Sequence, residues 1–268
     1  MNKGTPARNA THSVAGGEHP LSILANQAYK AFSEMGFEIA TGPELESDWY
    51  NFYVLNFPKD HPALDMQDTF WIKDPANLKQ NSDAFLHPTG GTFRDQNFSS
   101  GSRVLRTHTT TVTARAVEKA GKEGRLPAAF ISVGKVFRNE ATDITHEMQF
   151  FQIDGTMVGE NISLADLKGV LTNFYKKMLG EEVEIEFRPS FFPFTEPSFE
   201  VFAKFKGKWL EMMGSGMLHP NVIRNCGLDP AKVQGFAFGG GLDRIAMIKW
   251  GIPDVRLFYQ GDLRLNQL

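Results

Sequence analysis

The spacing of apolar residues along the chain predicts a few helices and a larger number of strands. Apolar positions recur every three or four residues over 19–36 and 163–180, with Gly36 placed to end the first helix and Ser163 placed to begin the second. Further helices are predicted over 48–57, 220–227 and 242–251, and after "RVLRTHT". Apolar runs predict strands at the start of 36–47 and at 68–72, 128–140, 148–159, 183–190, 199–205, 208–217 and 235–241.

The order of these elements determines the predicted fold class. Strands and helices do not alternate regularly, so a doubly wound parallel sheet is not expected. The pattern favours an α+β fold with a mainly antiparallel sheet and flanking helices. Residues 18–268 form one domain in this interpretation, and the polar, glycine-rich residues 1–17 form a flexible tail. The segment 74–101 is rich in Asn, Asp, Ser, Gly and Pro, which predicts a long loop.

Composition excludes several classes of protein. The formal net charge of −3 gives no support for electrostatic binding of nucleic acid by the protein surface as a whole. The single cysteine, Cys226, excludes an internal disulfide and a multi-cysteine zinc site, which is typical of a reducing compartment such as the cytoplasm. No apolar run approaches the roughly 18 residues that a membrane span needs, and the N-terminal residues have no signal-peptide core.

The stretch "GKVFRNEATDITHEMQFFQIDG" (134–155) places charged residues between two apolar runs. Arg138 and Glu140 are two apart on the first predicted strand, and Gln152 and Asp154 are two apart on the second, so each pair shares a face. If the strands pair, these side chains converge on one sheet surface. A solvated hairpin with ion pairs and the floor of a pocket both remain open.

Three other stretches carry candidate chemistry of modest specificity. In "GFAFGGGLDRIAMIKWG", glycines run into a helix that carries Arg244 in its first turn, which suits an anion, although tight packing explains the glycines equally well. In "FRPSFFPFTEPSFE", Phe192 and Phe194 could line an apolar slot with Glu196 at its mouth, or form a core edge. In "LRTHTTT", Arg106, His108 and Thr110 are expected on one face of a strand end, with His108 as a hydrogen-bonding group rather than a zinc ligand.

Taken together, these stretches resemble a known family. "HPLSILANQAYKAFSEMGFEIATGPELE" is similar to motif 1 of class II aminoacyl-tRNA synthetases, "FRNE" with "MQFFQIDG" to motif 2, and "GFAFGGGLDRIAM" to motif 3. "HPALDMQDTFWI", "LRTHT", "RPSFFPFTEPS" and "WLEMMGSGMLHP" are similar to the catalytic core of bacterial phenylalanyl-tRNA synthetase alpha subunits. The resemblance covers about residues 18 to 268.

The resemblance implies the class II synthetase fold and a two-step ligase. Phenylalanine would react with ATP to give phenylalanyl-adenylate, which would then acylate the 3′-terminal adenosine of tRNA(Phe). Mg²⁺ is the implied cofactor. The implied protein partner is a beta subunit, in an α2β2 tetramer, and no membrane is involved.

The resemblance also implies roles at the nucleotide end of the site. Arg138 matches the motif 2 arginine that binds the α-phosphate and the amino-acid carboxylate, and Arg244 matches the motif 3 arginine on the γ-phosphate; these are the implied catalytic residues. Phe150 matches the ring that stacks on adenine. Glu140, His146 and Glu211 match further ATP-site positions.

At the amino-acid end, the resemblance implies a polar part and an apolar part. The polar end of phenylalanine would be held by His108, Thr110, Gln152 and Asp154. The rings of Phe192 and Phe194 would contact the substrate ring edge-to-face, over a floor formed by Ala237 and Gly239. Glu196 matches a magnesium ligand at a site shared with the beta subunit.

The chain departs from the family pattern in several places. Thr110 replaces a usual Ser and keeps the hydroxyl, whereas Asp154 replaces a usual Glu and is one carbon shorter. Thr195 and Asp243 stand where an apolar residue and Glu are frequent. The family's N-terminal coiled-coil arm is absent from this sequence, and its editing and anticodon-reading parts belong to the beta subunit.

Three alternatives to this interpretation remain. The chain could be a class II ligase for another amino acid, which would be decided at Phe192, Phe194 and Ala237. It could be a non-catalytic paralogue that binds an amino acid or a partner protein, although Arg138 and Arg244 are both retained. A single-chain ligase is disfavoured because the sequence ends soon after motif 3.

Overall fold

A computed structural model describes residues 17–58, 61, 69–72 and 103–267 of the chain. Most of these residues belong to strands and helices, and three short 3-10 turns cover Tyr53–Leu55, Val255–Phe258 and Leu263–Gln267. In chain order the other elements are α1 (Pro20–Ser33), β1 (Glu38–Ile39), β2 (Leu45–Ser47), α2 (Asp48–Asn51), β3 (Trp71–Ile72), β4 (Arg103–Leu105), α3 (Thr110–Lys122), β5 (Ala128–Phe137), β6 (Gln149–Gly159), α4 (Leu164–Leu179), β7 (Glu184–Phe192), β8 (Thr195–Phe205), β9 (Lys208–Leu218), α5 (Pro220–Asn225), β10 (Gln234–Gly241) and α6 (Leu242–Trp250).

Seven of the strands form one sheet in the order β1-β5-β6-β10-β9-β8-β7. Every neighbouring pair is antiparallel except β1 and β5, which run parallel. A small second sheet has the order β2-β4-β3. The α+β prediction with a mainly antiparallel sheet is therefore confirmed.

One face of the large sheet packs on α1, α4 and α6. Ile131 and Ile153 point to this face and are fully buried, as the alternation of side chains along a strand requires. Phe32 of α1 stacks on Phe174 of α4 and on Phe238 of β10, with ring centroids 4.8 Å and 5.3 Å apart. Large aromatic side chains therefore fix the spacing between the sheet and its helices.

Among the described residues, the opposite face of the sheet is covered at one end, by α3, α5 and the turn Tyr53–Leu55. The apolar cluster there is smaller and includes Phe130, Val158, Val117 and Ile223. Beyond this cover, the same sheet face carries the polar residues predicted for the site. The described residues thus leave a groove beside α3, where side chains of β6 lie next to Gly239 of β10.

The secondary structure corrects two details of the sequence-based interpretation. The helix predicted over 48–57 is only α2 followed by the turn Tyr53–Leu55, because Phe52 leaves the helical conformation with φ of −133°. Asn56 then ends the turn in a left-handed conformation with φ of 62°. β4 ends at Leu105, and Thr110 is the first residue of α3. The tail 1–17, except Gly17, and the loop 74–101 lie outside the described residues.

The length and polarity of the helices bear on whether the chain could cross a membrane. Among the residues that the structure describes, no helix is both long and apolar enough to do so.

Candidate active site

The floor of the groove is formed by backbone and small side chains. Gly239 of β10 lies opposite Asp154 of β6 on one side and opposite Gly214 of β9 on the other. A Cβ atom on Gly239 would lie 2.5 Å from Asp154 Oδ2 and 3.0 Å from Gln152 Nε2. Glycine is therefore required here, because any side chain would displace the two polar groups beside it.

Asp154 is the buried carboxylate of the site. Its Oδ2 accepts a 2.6 Å hydrogen bond from Thr110 Oγ1, and its Oδ1 accepts one of 3.2 Å from Thr113 Oγ1. The residue is 2% exposed. Burial raises the pKa of Asp154 to about 7, although both threonine hydrogen bonds favour the charged form. The site therefore holds an acid that can be charged or neutral near neutral pH.

His108 stands at the edge of the same groove. Its Nε2 lies 2.8 Å from the backbone carbonyl of Asn51, which can only accept, so Nε2 carries the proton. Burial above all, with the nearby charges of Arg138 and Arg106, lowers the pKa of His108 to about 4 while the Asn51 bond opposes the shift. The ring is neutral at pH 7, and Nδ1 presents a lone pair.

Two buried acceptors in this part of the groove have no hydrogen-bond partner among the residues that the structure describes. They are His108 Nδ1 and Gln152 Oε1. Gln152 is 7% exposed, and its amide nitrogen lies next to Gly239. Buried polar groups are nearly always paired, so unpartnered acceptors beside a carboxylate indicate a place for a ligand with several N–H donors.

Arg138 and Phe150 meet at the end of the β5–β6 hairpin. The backbone N–H of Arg138 donates to Met148, its Nε lies 3.3 Å from the carbonyl of Thr107, and its guanidinium lies 5.1 Å from the Phe150 ring centroid. Arg138 Nη1 also lies 3.9 Å from Glu140 Oε1. β5 ends at Phe137, so the prediction that Arg138 and Glu140 lie on a strand is wrong, although the two side chains are close.

The remaining predicted residues of the nucleotide end lie on different elements. His146 is in the exposed hairpin loop, where its Nδ1 lies 3.1 Å from Asp143. Hydrogen bonds from the Thr145 amide, the His146 ring and the Thr145 hydroxyl hold the pKa of Asp143 well below its usual range. Glu211 is exposed on β9 and lies opposite Phe202 of β8.

Arg244 is an exposed residue in the first turn of α6. The neighbouring Asp243 fixes this turn, because its Oδ2 accepts a 2.7 Å bond from the backbone N–H of Phe151 and its Oδ1 accepts a bond from the Tyr259 hydroxyl. Burial raises the pKa of Asp243 to about 6. Asp243 thereby links the start of α6 to the strand that carries Phe150 and Gln152.

A row of aromatic rings forms the far wall of the groove. Phe192 and Phe194 flank the turn between β7 and β8, with ring centroids 5.7 Å apart. Phe57 lies 5.7 Å from Phe194 and stacks in parallel on His108 at 6.4 Å. The Phe192 ring also covers Gly214, where a Cβ atom would lie 2.9 Å from it. The row therefore runs from the polar residue His108 through Phe57 and Phe194 to Phe192.

Ala237 lies on the same strand face as Gly239, two residues earlier on β10. It is 5% exposed and borders a narrow apolar cavity of about 20 Å³ between β10, α3 and α5, with room for a group the size of one water molecule. Thr110, Leu218 and Cys226 also line this cavity.

Glu196 lies outside the cluster, at the start of β8. Its carboxylate is 75% exposed and lies 3.5 Å from His219 Nε2. Within the described ranges, no three His, Cys, Asp or Glu side chains are grouped closely enough to hold a metal ion. Glu196 can offer one ligand but does not form a metal site with its described neighbours.

Sequence reasoning missed several residues that shape the groove. Thr113, Phe57 and Asn51 contact the predicted site residues Asp154, Phe194 and His108, and Asn56 bonds Pro193 between the two predicted rings. Single Thr, Phe and Asn residues give no signal of this role in the sequence. The face predicted for Arg106, His108 and Thr110 is not present, since none of the three lies on a strand. Arg106 is 4% exposed and donates to the carbonyls of Lys135, Gly42 and Pro43.

The fold and this groove together define a class II aminoacyl-tRNA synthetase core. The family model described as "tRNA synthetases class II core domain (F)" matches residues 5–268. A search of solved structures finds pyrrolysyl-tRNA synthetase from Desulfitobacterium hafniense, with a TM-score of 0.67 and 17% identity over 91% of this chain and 74% of that one. At that identity, the similarity concerns the fold alone.

Curated relatives narrow the family. The phenylalanine--tRNA ligase alpha subunit of Anoxybacillus flavithermus is 45% identical over 98% of this chain and 70% of that protein. The alpha subunit from Dechloromonas aromatica is 45% identical over 93% of this chain and 69% of its own length. The chain belongs to the family of phenylalanine--tRNA ligase alpha subunits.

Proposed function

We propose that this chain catalyses the ATP-dependent activation of phenylalanine and its transfer to tRNA(Phe). The observation that carries the proposal is the division of one groove into a cationic end, a polar centre and an aromatic wall. Arg138 and Phe150 form the first, Asp154 and Gln152 the second, and Phe192 with its neighbours the third. These are the three chemistries needed for a nucleotide, an α-amino acid head group and a benzyl side chain.

In the first step, a carboxylate oxygen of phenylalanine attacks the α-phosphorus of ATP. The new O–P bond gives phenylalanyl-adenylate, and the bond from the α-phosphorus to the bridging oxygen breaks to release pyrophosphate. Arg138 would hold the α-phosphate and the carboxylate together, and Arg244 would hold the γ-phosphate. Fixed cations of this kind stabilise the charge of the transition state and keep the reactants aligned.

In the second step, the 2′-hydroxyl of the terminal adenosine attacks the carbonyl carbon of the adenylate. The ester bond to tRNA forms, the bond between the carbonyl carbon and the phosphate oxygen breaks, and AMP leaves with the electron pair of that bond. The proton of the 2′-hydroxyl passes to the phosphate of the departing AMP or to water. Phe150 would hold the adenine of the nucleotide by stacking. Glu140, His146 and Glu211 would complete the proposed nucleotide site.

The centre of the groove suits an ammonium group. His108 Nδ1 and Gln152 Oε1 are buried acceptors without a described partner, and ionised Asp154 supplies the compensating charge. An ammonium group has three donors and no acceptor, which matches this set. Thr110 holds Asp154 in place, while Gly239 leaves the space above the floor free.

Selection for phenylalanine would come from the aromatic wall and the floor beside it. Aromatic pairs gain about 0.5–1.5 kcal/mol beyond the burial of area alone when their geometry is favourable. Phe192 and Phe194 offer this contact, and Ala237 leaves room for a ring. The described wall residues Phe57, Phe192 and Phe194 carry apolar rings, which offer no hydrogen-bond partner to a polar side chain.

The proposal includes Mg²⁺ as a cofactor. Bound Mg²⁺ neutralises phosphate charge, and oxygen ligands suit it. Glu196 fits as one such ligand because its carboxylate is exposed, and further ligands would come from phosphate oxygens, water or a second protein chain.

The proposal also includes a protein partner and an assembly. The protein partner is a phenylalanine--tRNA ligase beta subunit in an α2β2 tetramer, acting in the cytoplasm without a membrane. In this proposal residues 18–268 are the catalytic domain and residues 1–17 a flexible tail.

The test is amino-acid-dependent exchange of labelled pyrophosphate into ATP, with the beta subunit supplied. Phenylalanine should support exchange far better than any other amino acid. Exchange that is fastest with a different amino acid would make the chain a ligase for that residue. No exchange with any amino acid would favour a non-catalytic paralogue.

Matched variants show whether this chain carries the reaction. Arg138→Ala and Arg244→Ala should each lower exchange by about 100-fold or more, because each removes a transition-state cation. Arg125→Ala is the control, since Arg125 pairs with Glu38 and Glu123 away from the groove. Equal activity in all three variants would contradict the proposed roles.

A further inference from the structure

The segment from Asp48 to Asn56, here called segment 48–56, connects the two ends of the amino-acid site. It consists of α2, Phe52, the turn Tyr53–Leu55 and Asn56. We propose that it is a positioning element with two separable functions. Asn51 positions the turn that holds His108 and supports Arg138, and Asn56 positions the turn that carries Phe192 and Phe194. This inference rests on the proposed function.

Asn51 makes three hydrogen bonds to the turn after β4. Its side chain accepts from the backbone N–H of Thr107 at 3.1 Å and donates to Thr107 Oγ1 at 3.0 Å, while its carbonyl accepts from His108 Nε2 at 2.8 Å. Asn51 is fully buried, and Thr107 is 9% exposed. One side chain therefore fixes both the backbone and the hydroxyl of Thr107.

The effect of Asn51 extends to the catalytic arginine through Thr107. The carbonyl of Thr107 accepts from Arg138 Nε at 3.3 Å. If the Thr107 peptide loses its support from Asn51, the direction of this carbonyl is no longer fixed. Asn51 thus links the position of His108, which would bind the amino acid, to the position of Arg138, which would bind phosphate.

Asn56 holds the aromatic turn from the other end of the segment. Its Nδ2 donates to the carbonyl of Pro193 at 2.7 Å, and its Oδ1 accepts from Asn221 Nδ2 at 2.9 Å. Pro193 lies between the two rings in sequence. The carbonyl of Phe194 accepts from the backbone N–H of His219 at 3.0 Å, so Asn56 and the start of α5 hold the turn together.

The segment is itself well anchored, which is what a positioning element needs. Phe52 is fully buried and Leu55 is 2% exposed. The side chain of Asn225 donates to two carbonyls of the turn, at 3.2 Å each. The Tyr50 hydroxyl donates to Glu118 on α3, so the segment is fixed to both helices that cover this end of the sheet.

Two variants separate the two functions. Asn51→Ala should raise the KM for phenylalanine and the KM for ATP, each by about tenfold. The reason is that loss of about two side-chain hydrogen bonds to Thr107 misplaces His108 and Arg138. Asn56→Gly should raise the KM for phenylalanine by about tenfold and leave the KM for ATP within about twofold. Glycine keeps the left-handed backbone conformation of position 56, so only the side-chain bonds are lost.

Two controls distinguish positioning from a general loss of stability. Phe174→Leu lowers stability in the core on the opposite face of the sheet and should leave both KM values unchanged. Thr107→Ser keeps the hydroxyl and the backbone bonds to Asn51 and should retain the wild-type KM values. The inference would be overturned if Asn56→Gly raised the KM for ATP as much as Asn51→Ala does. It would also be overturned if neither variant changed a KM value more than Phe174→Leu does.

Amide hydrogen exchange tests the segment without using activity. In Asn51→Ala the amide of Thr107 should exchange faster while that of His219 stays protected, and Asn56→Gly should show the reverse. Unchanged protection of Thr107 in Asn51→Ala overturns the inference. If wild type with the beta subunit gives no phenylalanine-dependent exchange, the proposed function fails, and the amide pattern still decides whether the segment positions these turns.

Discussion

Thr110 donates a 2.6 Å hydrogen bond to Asp154 and ties the first residue of α3 to the middle of β6. This carboxyl is buried with a pKa of about 7, whereas the pKa of His108 in the same groove is about 4. Asp154 binds its proton more tightly in the folded state than in the unfolded state, and His108 binds its proton less tightly. Their effects on stability therefore run in opposite directions with pH.

The first prediction concerns Asp154→Asn. The unfolded carboxyl has a pKa near 3.8, so Asp154 contributes stability that is fully present below about pH 4 and is lost as pH rises to about 7. The asparagine variant lacks this loss. Its free energy of unfolding relative to wild type should rise between about pH 4 and 7, with a slope of up to about 1.4 kcal/mol per pH unit. Urea unfolding at a series of pH values measures the difference.

His108→Gln is the opposing measurement. Because the folded pKa of about 4 lies below the ordinary 6.5, His108 contributes stability that is lost as pH falls from about 6.5 to 4. The glutamine variant should therefore lose stability relative to wild type as pH rises over the same range. If the free energy of unfolding relative to wild type changes with pH in the same direction in both variants, the pKa values given to Asp154 and His108 are wrong.

The second prediction concerns the pH dependence of substrate binding. Only the ionised form of Asp154 offers charge to the ammonium group of phenylalanine. The KM for phenylalanine should fall by up to about tenfold per pH unit as pH approaches 7 from below, and should level off above it. Asp154→Asn should have a higher KM with little dependence on pH. The KM for ATP, measured in parallel, should not follow this curve.

The third prediction concerns Ala237→Val. The adjoining cavity of about 20 Å³ has room for one water-sized group, so it cannot hold both added methyl groups, and one of them narrows the space in front of the aromatic wall. The KM for phenylalanine should rise by about tenfold or more while the KM for ATP stays near the wild-type value. Ala231→Val changes an exposed alanine and is the matched control. An unchanged KM for phenylalanine would show that the ring does not bind beside Ala237.

The fourth prediction concerns Asp243→Ala. The change leaves the partly buried N–H of Phe151 and the Tyr259 hydroxyl without their acceptor, which should lower the free energy of unfolding by about 2–4 kcal/mol. Because the start of α6 is then less fixed, Arg244 should bind phosphate less well and the KM for ATP should rise. Asp243→Asn keeps one acceptor and should show a smaller loss. If Asp243→Ala loses about 2–4 kcal/mol of unfolding free energy as expected but keeps a normal KM for ATP, Asp243 has only a structural role.

The sequence predicts the strands of the site better than its turns. Gln152 and Asp154 can be placed on one face because side chains in a strand repeat every two residues, and their register opposite Gly241 and Gly239 confirms that arrangement. The resemblance to the family assigns roles that periodicity alone does not. The geometry of that single strand therefore follows from the alternation of its residues.

The turns that hold the site do not follow from the sequence in this way. Arg106 comes directly after β4, yet its guanidinium is buried against three backbone carbonyls that come from distant segments. The hydrogen bonds of Asn51 and Asn56 likewise join segments separated by 56 and 137 positions. Local pattern carries no information about such long-range bonds, so it identifies His108 but not the residues that fix it.

The backbone floor at Gly239 also constrains how this site can change over evolutionary time. A floor made of main-chain atoms, with Asp154 and Gln152 packed against it, offers no side chain that a mutation could exchange without disturbing the carboxylate. Heritable variation in amino-acid preference should therefore accumulate around Gly239, at the wall residues Phe192 and Phe194 and at Ala237. A library that randomises those three positions and leaves Gly239 fixed should yield active variants with new substrate preferences, whereas randomising Gly239 should yield almost none.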